Sequence, residues 1–221
     1  LGKIVAQYRR DRHEYLRDGN TIFEVVMLAD QYGNRIGPAN PSGMAVDAFG
    51  RARTSSPLTL FDSSHRYKDN GLWSTSNTAG ANTQFNANAG FVELHVGTGS
   101  DQEVVRETTK VFSYQPGKSL QNMNTFVMNE AKTGLRQRVG YYGSNNGVYF
   151  EQSNSDVYFV ERSRVTGSVT ETRVSQANWN LDPLDGTGPS RKTLDTSKGQ
   201  IFFADIEWLG LGTVRMGFVI D

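Results

Sequence analysis

Two carboxylates one residue apart, in Asp205-Ile206-Glu207, are the strongest chemical signal in this chain. On a strand, residues i and i+2 share a face, and a carboxylate pair on one face can act as acid and nucleophile in glycoside hydrolysis. Position 203, two residues earlier on that face, is Phe and supplies no further carboxylate. The polar side of a strand accounts for the same residues, with Gln200, Phe203, Asp205 and Glu207 outward and Phe202, Ala204, Ile206 and Trp208 inward. Other chemistries have weaker signals. His13, His65 and His95 show no short metal-ligand spacing, and no Gly-x-Ser-x-Gly elbow marks a nucleophilic serine. Gly97-Thr98-Gly99 and Gly186-Thr187-Gly188 are too short to cradle a phosphate. With no cysteine, disulfides, thiolate metal sites and a cysteine nucleophile are excluded. The expectation is a chain with no catalytic residues and no cofactor.

Binding chemistry has more to work with. Asp182 and Asp185, beside Gly186, sit in an oxygen-rich loop and are weak calcium candidates; such carboxylates otherwise cap turns. Trp73 and Trp179 fall in loop-like segments, where binding side chains concentrate, and are candidate glycan contacts. Tyr141, Tyr142, Tyr149 and Tyr158 would extend a stacking platform. The alternative is that Trp208 is core and the other two tryptophans pin loops to the body. Arg106, Lys110, Arg136, Arg138, Arg162, Arg164 and Arg173 are expected to pair with Glu103, Glu107, Glu151, Glu161 and Glu171, or with a neighbouring subunit. Lys+Arg and Asp+Glu are both 23, so charge points to neither nucleic acid nor a membrane surface. No uncharged apolar run approaches the roughly 18 residues of a spanning helix.

The elements that must position these residues read as strands. Ser, Thr, Asn and Gly make up 75 of the 221 residues, a mix suited to short strands and tight turns. From about Pro57 onward, strand signals recur at roughly 8–12-residue spacing without intervening helices, giving roughly nine or ten strands and a jelly-roll-type β-sandwich. Residues 103–114 alternate as one continuous strand, and 200–209 and 213–220 close the chain. The amino end differs. Ile4, Val5, Tyr8, Arg12, Tyr15 and Leu16 form a partial helical stripe, Arg9 and others occupy the opposite face, and Gly19 falls where a helix would stop. A strand is expected over 23–28, and 30–57 is crowded with Gly and Pro. We therefore divide the chain into an arm, 1–46, with a short helix whose Tyr8, Arg9, Arg12, Tyr15 and Leu16 serve assembly, and a β-sandwich body, 47–221.

Several longer strings carry a resemblance. They are Asp47-Ala48-Phe49-Gly50-Arg51-Ala52-Arg53, Leu60-Phe61-Asp62-Ser63 and Phe112-Ser113-Tyr114-Gln115-Pro116-Gly117-Lys118-Ser119. Two more are Asn178-Trp179-Asn180-Leu181-Asp182-Pro183-Leu184-Asp185-Gly186-Thr187-Gly188 and Asp205-Ile206-Glu207-Trp208-Leu209-Gly210-Leu211-Gly212-Thr213-Val214-Arg215. From about residue 20 to the end, the chain resembles virion structural proteins of tailed marine phages, especially cyanophages, with related modules in some large DNA viruses. The resemblance implies residence in a virion, contact with other virion proteins and no catalytic residues. Symmetric particles imply a homo-oligomer. Capsid decoration or a tail or fibre component is the expected role. The alternative is a carbohydrate- or receptor-binding module at the tail tip, taking a host-surface glycan, and a jelly-roll glycoside hydrolase ranks third.

Residues 1–46 hold too little apolar surface to fold alone. Deleting them is expected to leave a folded, soluble β-domain that no longer joins its assembly. Circular dichroism and particle incorporation check this; a molten truncated protein would place the arm in the core instead.

Overall fold

The computed structural model describes residues 58–115, 118–207 and 212–220, with the backbone alone of 15–18, 21–24 and 208. Among the described residues the chain is nearly all strand and turn, and the one helical element is a single 3-10 turn, Gln176–Asn178. At the amino end, β1 (Tyr15–Asp18) pairs antiparallel with β2 (Thr21–Glu24), and Asp18 lies opposite Thr21. This corrects the carboxyl end of the expected helix, because Tyr15 and Leu16 are strand. Gly19, read as a helix stop, forms with Asn20 an equally good two-residue hairpin signal, and Thr21, Ile22 and Phe23 favour extended backbone. Tyr8, Arg9 and Arg12, the rest of the expected helix and the boundary near Asp47 lie outside the described residues.

The chain separates into two compact units, Leu1–Lys110 and Val111–Asp221. In the first, β3 (Trp73–Asn77) pairs with β6 (Val104–Thr108), and β4 (Asn82–Asn86) pairs with β5 (Phe91–His95), both antiparallel. The alternation read as one strand over 103–114 stops at Thr108, two residues before the division. Trp73 therefore opens a strand instead of lying in a loop.

The second unit is a two-sheet sandwich. Its four-stranded sheet comprises β8 (Arg136–Tyr142), β9 (Gly147–Ser153), β10 (Asp156–Ser163) and β11 (Thr170–Ser175), in the order β11-β10-β9-β8. The three-stranded sheet comprises β7 (Ser119–Phe126), β12 (Gln200–Trp208) and β13 (Gly212–Phe218), in the order β13-β12-β7. All pairings are antiparallel. Val148, Phe150, Phe202, Ala204 and Phe218 are buried between the sheets, as period two requires. Phe150 is the hub, with the Phe218 ring edge-on at 5.0 Å and Phe126, Phe159 and Phe202 within 6.3 Å.

Trp179 completes this layer. The 3-10 turn after β11 carries its indole into the core, where it stacks on Phe159 with ring centroids 4.0 Å apart. Its Nε1–H donates to the Val174 carbonyl at 3.2 Å, so the buried donor is satisfied. This corrects Trp179 as a glycan contact: the indole is 8% exposed. The physical reason is that a large aromatic with one donor gains most where the ring is dry and the N–H is paired. Trp179→Ala is expected to cost about 3–5 kcal/mol, measured by urea denaturation; an unchanged midpoint would return Trp179 to the surface.

Candidate functional site

The face of the four-stranded sheet that points away from the core is built from charge. Period two places Arg136, Arg138, Gly140 and Tyr142 of β8 on it, with Tyr149 and Glu151 of β9, Asp156, Tyr158 and Arg162 of β10, and Glu171 and Arg173 of β11. Glu151 is fully buried. It accepts from Arg136 at 2.5 Å, Arg173 at 2.9 Å and Arg138 at 3.0 Å. Glu171 accepts from Arg173 at 2.5 Å, Arg162 and the Tyr149 hydroxyl at 2.7 Å, and Arg136 at 2.8 Å. The Arg162 guanidinium lies 5.4 Å from the Tyr149 ring centroid and 5.5 Å from that of Tyr142, within cation–π range.

These pairs reveal the shape of the sheet. Arg136 and Glu171 stand on its two outermost strands and six residues apart in register, which in a flat sheet would separate their Cα atoms by roughly 24 Å, beyond the combined reach of the two side chains. Their contact at 2.8 Å requires the sheet to curl around this face. Burial raises the affinity of Glu171 for a proton, but hydrogen bonds from Arg162, Tyr149 and Arg136 outweigh it and hold the carboxyl at about 2. Tyr149 moves the other way, to about 12, through burial and then its bond to Glu171.

Two depressions border this sheet. One, of about 400 Å³, lies where the β9–β10 hairpin meets the turn after β11, and is lined by Ser155, Asp156, Tyr158, Ser175, Gln176 and Asp185, among others. The other, of about 460 Å³, lies between the edge strands β11 and β13. Its lining is Val148, Phe159, Val174, Ile206, Val214 and Met216, with Glu161, Thr172, Glu207 and Thr213 beside them.

No family model, curated protein or solved structure matches this chain.

The residues singled out from sequence fall in different places. Asp205 and Glu207 share a strand face as expected, but Asp205 is 1% exposed, which corrects its placement on an outward, solvated side. It lies in the middle strand of its sheet, opposite Arg215 and Gln121. Asp182 accepts the backbone N–H groups of Ser190 at 2.7 Å and Leu184 at 2.8 Å; Asp185 accepts from the Thr187 hydroxyl at 2.6 Å and its N–H at 2.8 Å. Both calcium candidates are thus turn caps, and these bonds hold their carboxyls below the usual range. Among the described residues, no three His, Cys, Asp or Glu side chains converge on a point that could hold a metal. Trp73 donates its Nε1–H to the Ser63 hydroxyl at 2.8 Å and meets Phe61 edge-on at 5.8 Å. The arginine expectation holds for Arg136, Arg138, Arg162 and Arg173 with Glu151 and Glu171, while Arg106 pairs with Asp69. Sequence reading missed the pocket residues Asp156, Ser175 and Gln176. The spacing of Asp156 and Tyr158, two apart after a turn signal, was the clue.

Because Glu171 is held below its unfolded value, its pairing stabilises the fold fully above about pH 4.5, and that contribution is lost as pH falls toward 2. Glu171→Gln is therefore expected to flatten the acid limb of the stability curve between those values. Urea midpoints at pH 6 and pH 3 measure this, and parallel curves for both proteins would refute it.

Proposed function

We propose that this chain is a non-enzymatic structural protein of a tailed-phage virion, working in particle assembly and surface display, as capsid decoration or as a tail or fibre component. The observation that carries the reading is the groove between β11 and β13. Its lining is mainly aliphatic and aromatic, and it is bounded by two edge strands. Edge strands with apolar surface beside them are contact sites for another chain, and proteins that remain alone blunt or cover them. The phage-like strings support the same reading, and a symmetric particle would make the chain a homo-oligomer in contact with other virion proteins.

The described carboxylates support a role without catalysis. A glycosidase needs one carboxyl that is protonated near neutral pH. Glu171 lies at about 2, locked by arginines, and Asp205 is nearly inaccessible. Glu161 and Glu207 border the groove beside Thr172 and Thr213, in a lining that is otherwise mainly apolar. Jelly-roll connectivity is not part of this proposal. It uses Greek keys, whereas β8 to β11 follow one another as a meander.

Immunogold electron microscopy with antibodies to the folded chain, on purified particles of the virus that encodes it, tests the proposal. Regular labelling at one position on the particle is expected. Absence of the chain from purified particles by mass spectrometry would overturn it.

A further inference from the structure

We propose that the pocket beside the β9–β10 hairpin binds a neutral pyranose sugar, stacked on the Tyr158 ring and hydrogen-bonded through its hydroxyls to Asp156 and Asp185. The pocket volume of about 400 Å³ is in the range of small-molecule sites, which combine an apolar or aromatic surface with a few placed polar groups. Tyr158 supplies the ring, and Ser155, Asp156, Ser175, Gln176 and Asp185 supply the polar groups.

The polar set selects the ligand. Ionised carboxylates only accept hydrogen bonds, so two of them require a ligand rich in donors. A sugar's hydroxyls meet that need. An anionic ligand would be repelled by Asp156 and Asp185, and a metal ion lacks a third acidic or imidazole ligand among the described residues. Asp156, Arg173 and Glu151 are the charged groups that act on Tyr158 from this face, two negative and one positive.

The pocket is also held in place before any ligand arrives. Asp185 is fixed by both bonds from Thr187, at 2.6 and 2.8 Å, and Gln176 Nε2 donates to the Leu184 carbonyl at 3.0 Å. The Tyr158 hydroxyl lies 3.4 Å from Asp156 Oδ2, a long contact on the exposed rim. The stack of Trp179 on Phe159 anchors the turn that carries Gln176 and Ala177. Walls that do not need to be ordered on binding lower the entropic cost of binding a small ligand.

This inference extends the display half of the proposed function. Sugar binding is measured on the isolated chain and virion membership on particles, so either can fail alone. The experiment is calorimetric titration of the full chain, in EDTA, with methyl glycosides of glucose, galactose, mannose and N-acetylglucosamine. Saturable binding of at least one is expected, weakened about tenfold or more, or about 1.4 kcal/mol, by Tyr158→Ala and by Asp156→Asn. Near-ultraviolet circular dichroism of both variants confirms that the fold is kept. The inference is overturned if none of the four binds, or if binding requires calcium in place of EDTA. It is equally overturned if polygalacturonate or single-stranded DNA binds in their stead, or if Trp73→Ala abolishes binding that Tyr158→Ala leaves intact.

Discussion

A carboxylate with no solvent exposure stands at the centre of a sheet, and the second unit is organised around it. An unpaired ion in that position would cost several kcal/mol, so Glu151 must be met by cations from both sides. Arg136 and Arg138 come from β8 and Arg173 from β11, two strands away. The contact of Arg136 with Glu171 on the far margin bends the sheet toward this face, and a bend needs room on its inner side. Gly140 provides it beside Tyr149, since a Cβ there would lie 2.6 Å from the Tyr149 Cα and the Val148 carbonyl oxygen.

Glu151 and Phe150 are neighbours on β9, and each is the hub of its own face. A slip of one residue in strand pairing would drive the carboxylate into the aromatic core and the phenyl ring into the arginines. The polar layer therefore specifies register at least as much as it adds stability, because buried ion pairs seldom outdo apolar packing of the same volume. The same register puts Asp156 and Tyr158 on one face at the start of β10, beside Ser175 at the end of β11. The polar pocket is thus a by-product of the arrangement that serves Glu151.

How much of this was legible depended on what each strand buries. β9, β10 and β12 carry short runs rich in Val, Ile, Phe and Tyr, and such runs reveal them as strands. Trp73–Asn77, Asn82–Asn86 and Thr170–Ser175 are polar strands, and nothing in their composition distinguishes them from loop. The division after Lys110 was hidden for the opposite reason, since alternation runs through it to Tyr114 unbroken. Trp179 looked exposed because its neighbours are turn formers, although the turn is what aims it inward. The Arg–Glu pairing was readable from residue types and charge balance; the curl that lets Arg136 reach Glu171 was not, because it depends on contacts between the outermost strands.

That lacing also bears on how the sheet would respond to force. Backbone ladders fail cheaply when an edge strand is peeled, because the hydrogen bonds break one after another. Here the margin strand β11 is tied through Glu171 to Arg162 on its neighbour and to Arg136 on the far margin. Peeling β11 therefore loads contacts on three strands at once, turning a sequential unzipping into a concerted rupture. A pull on β11 would load this transverse tie together with the backbone ladder.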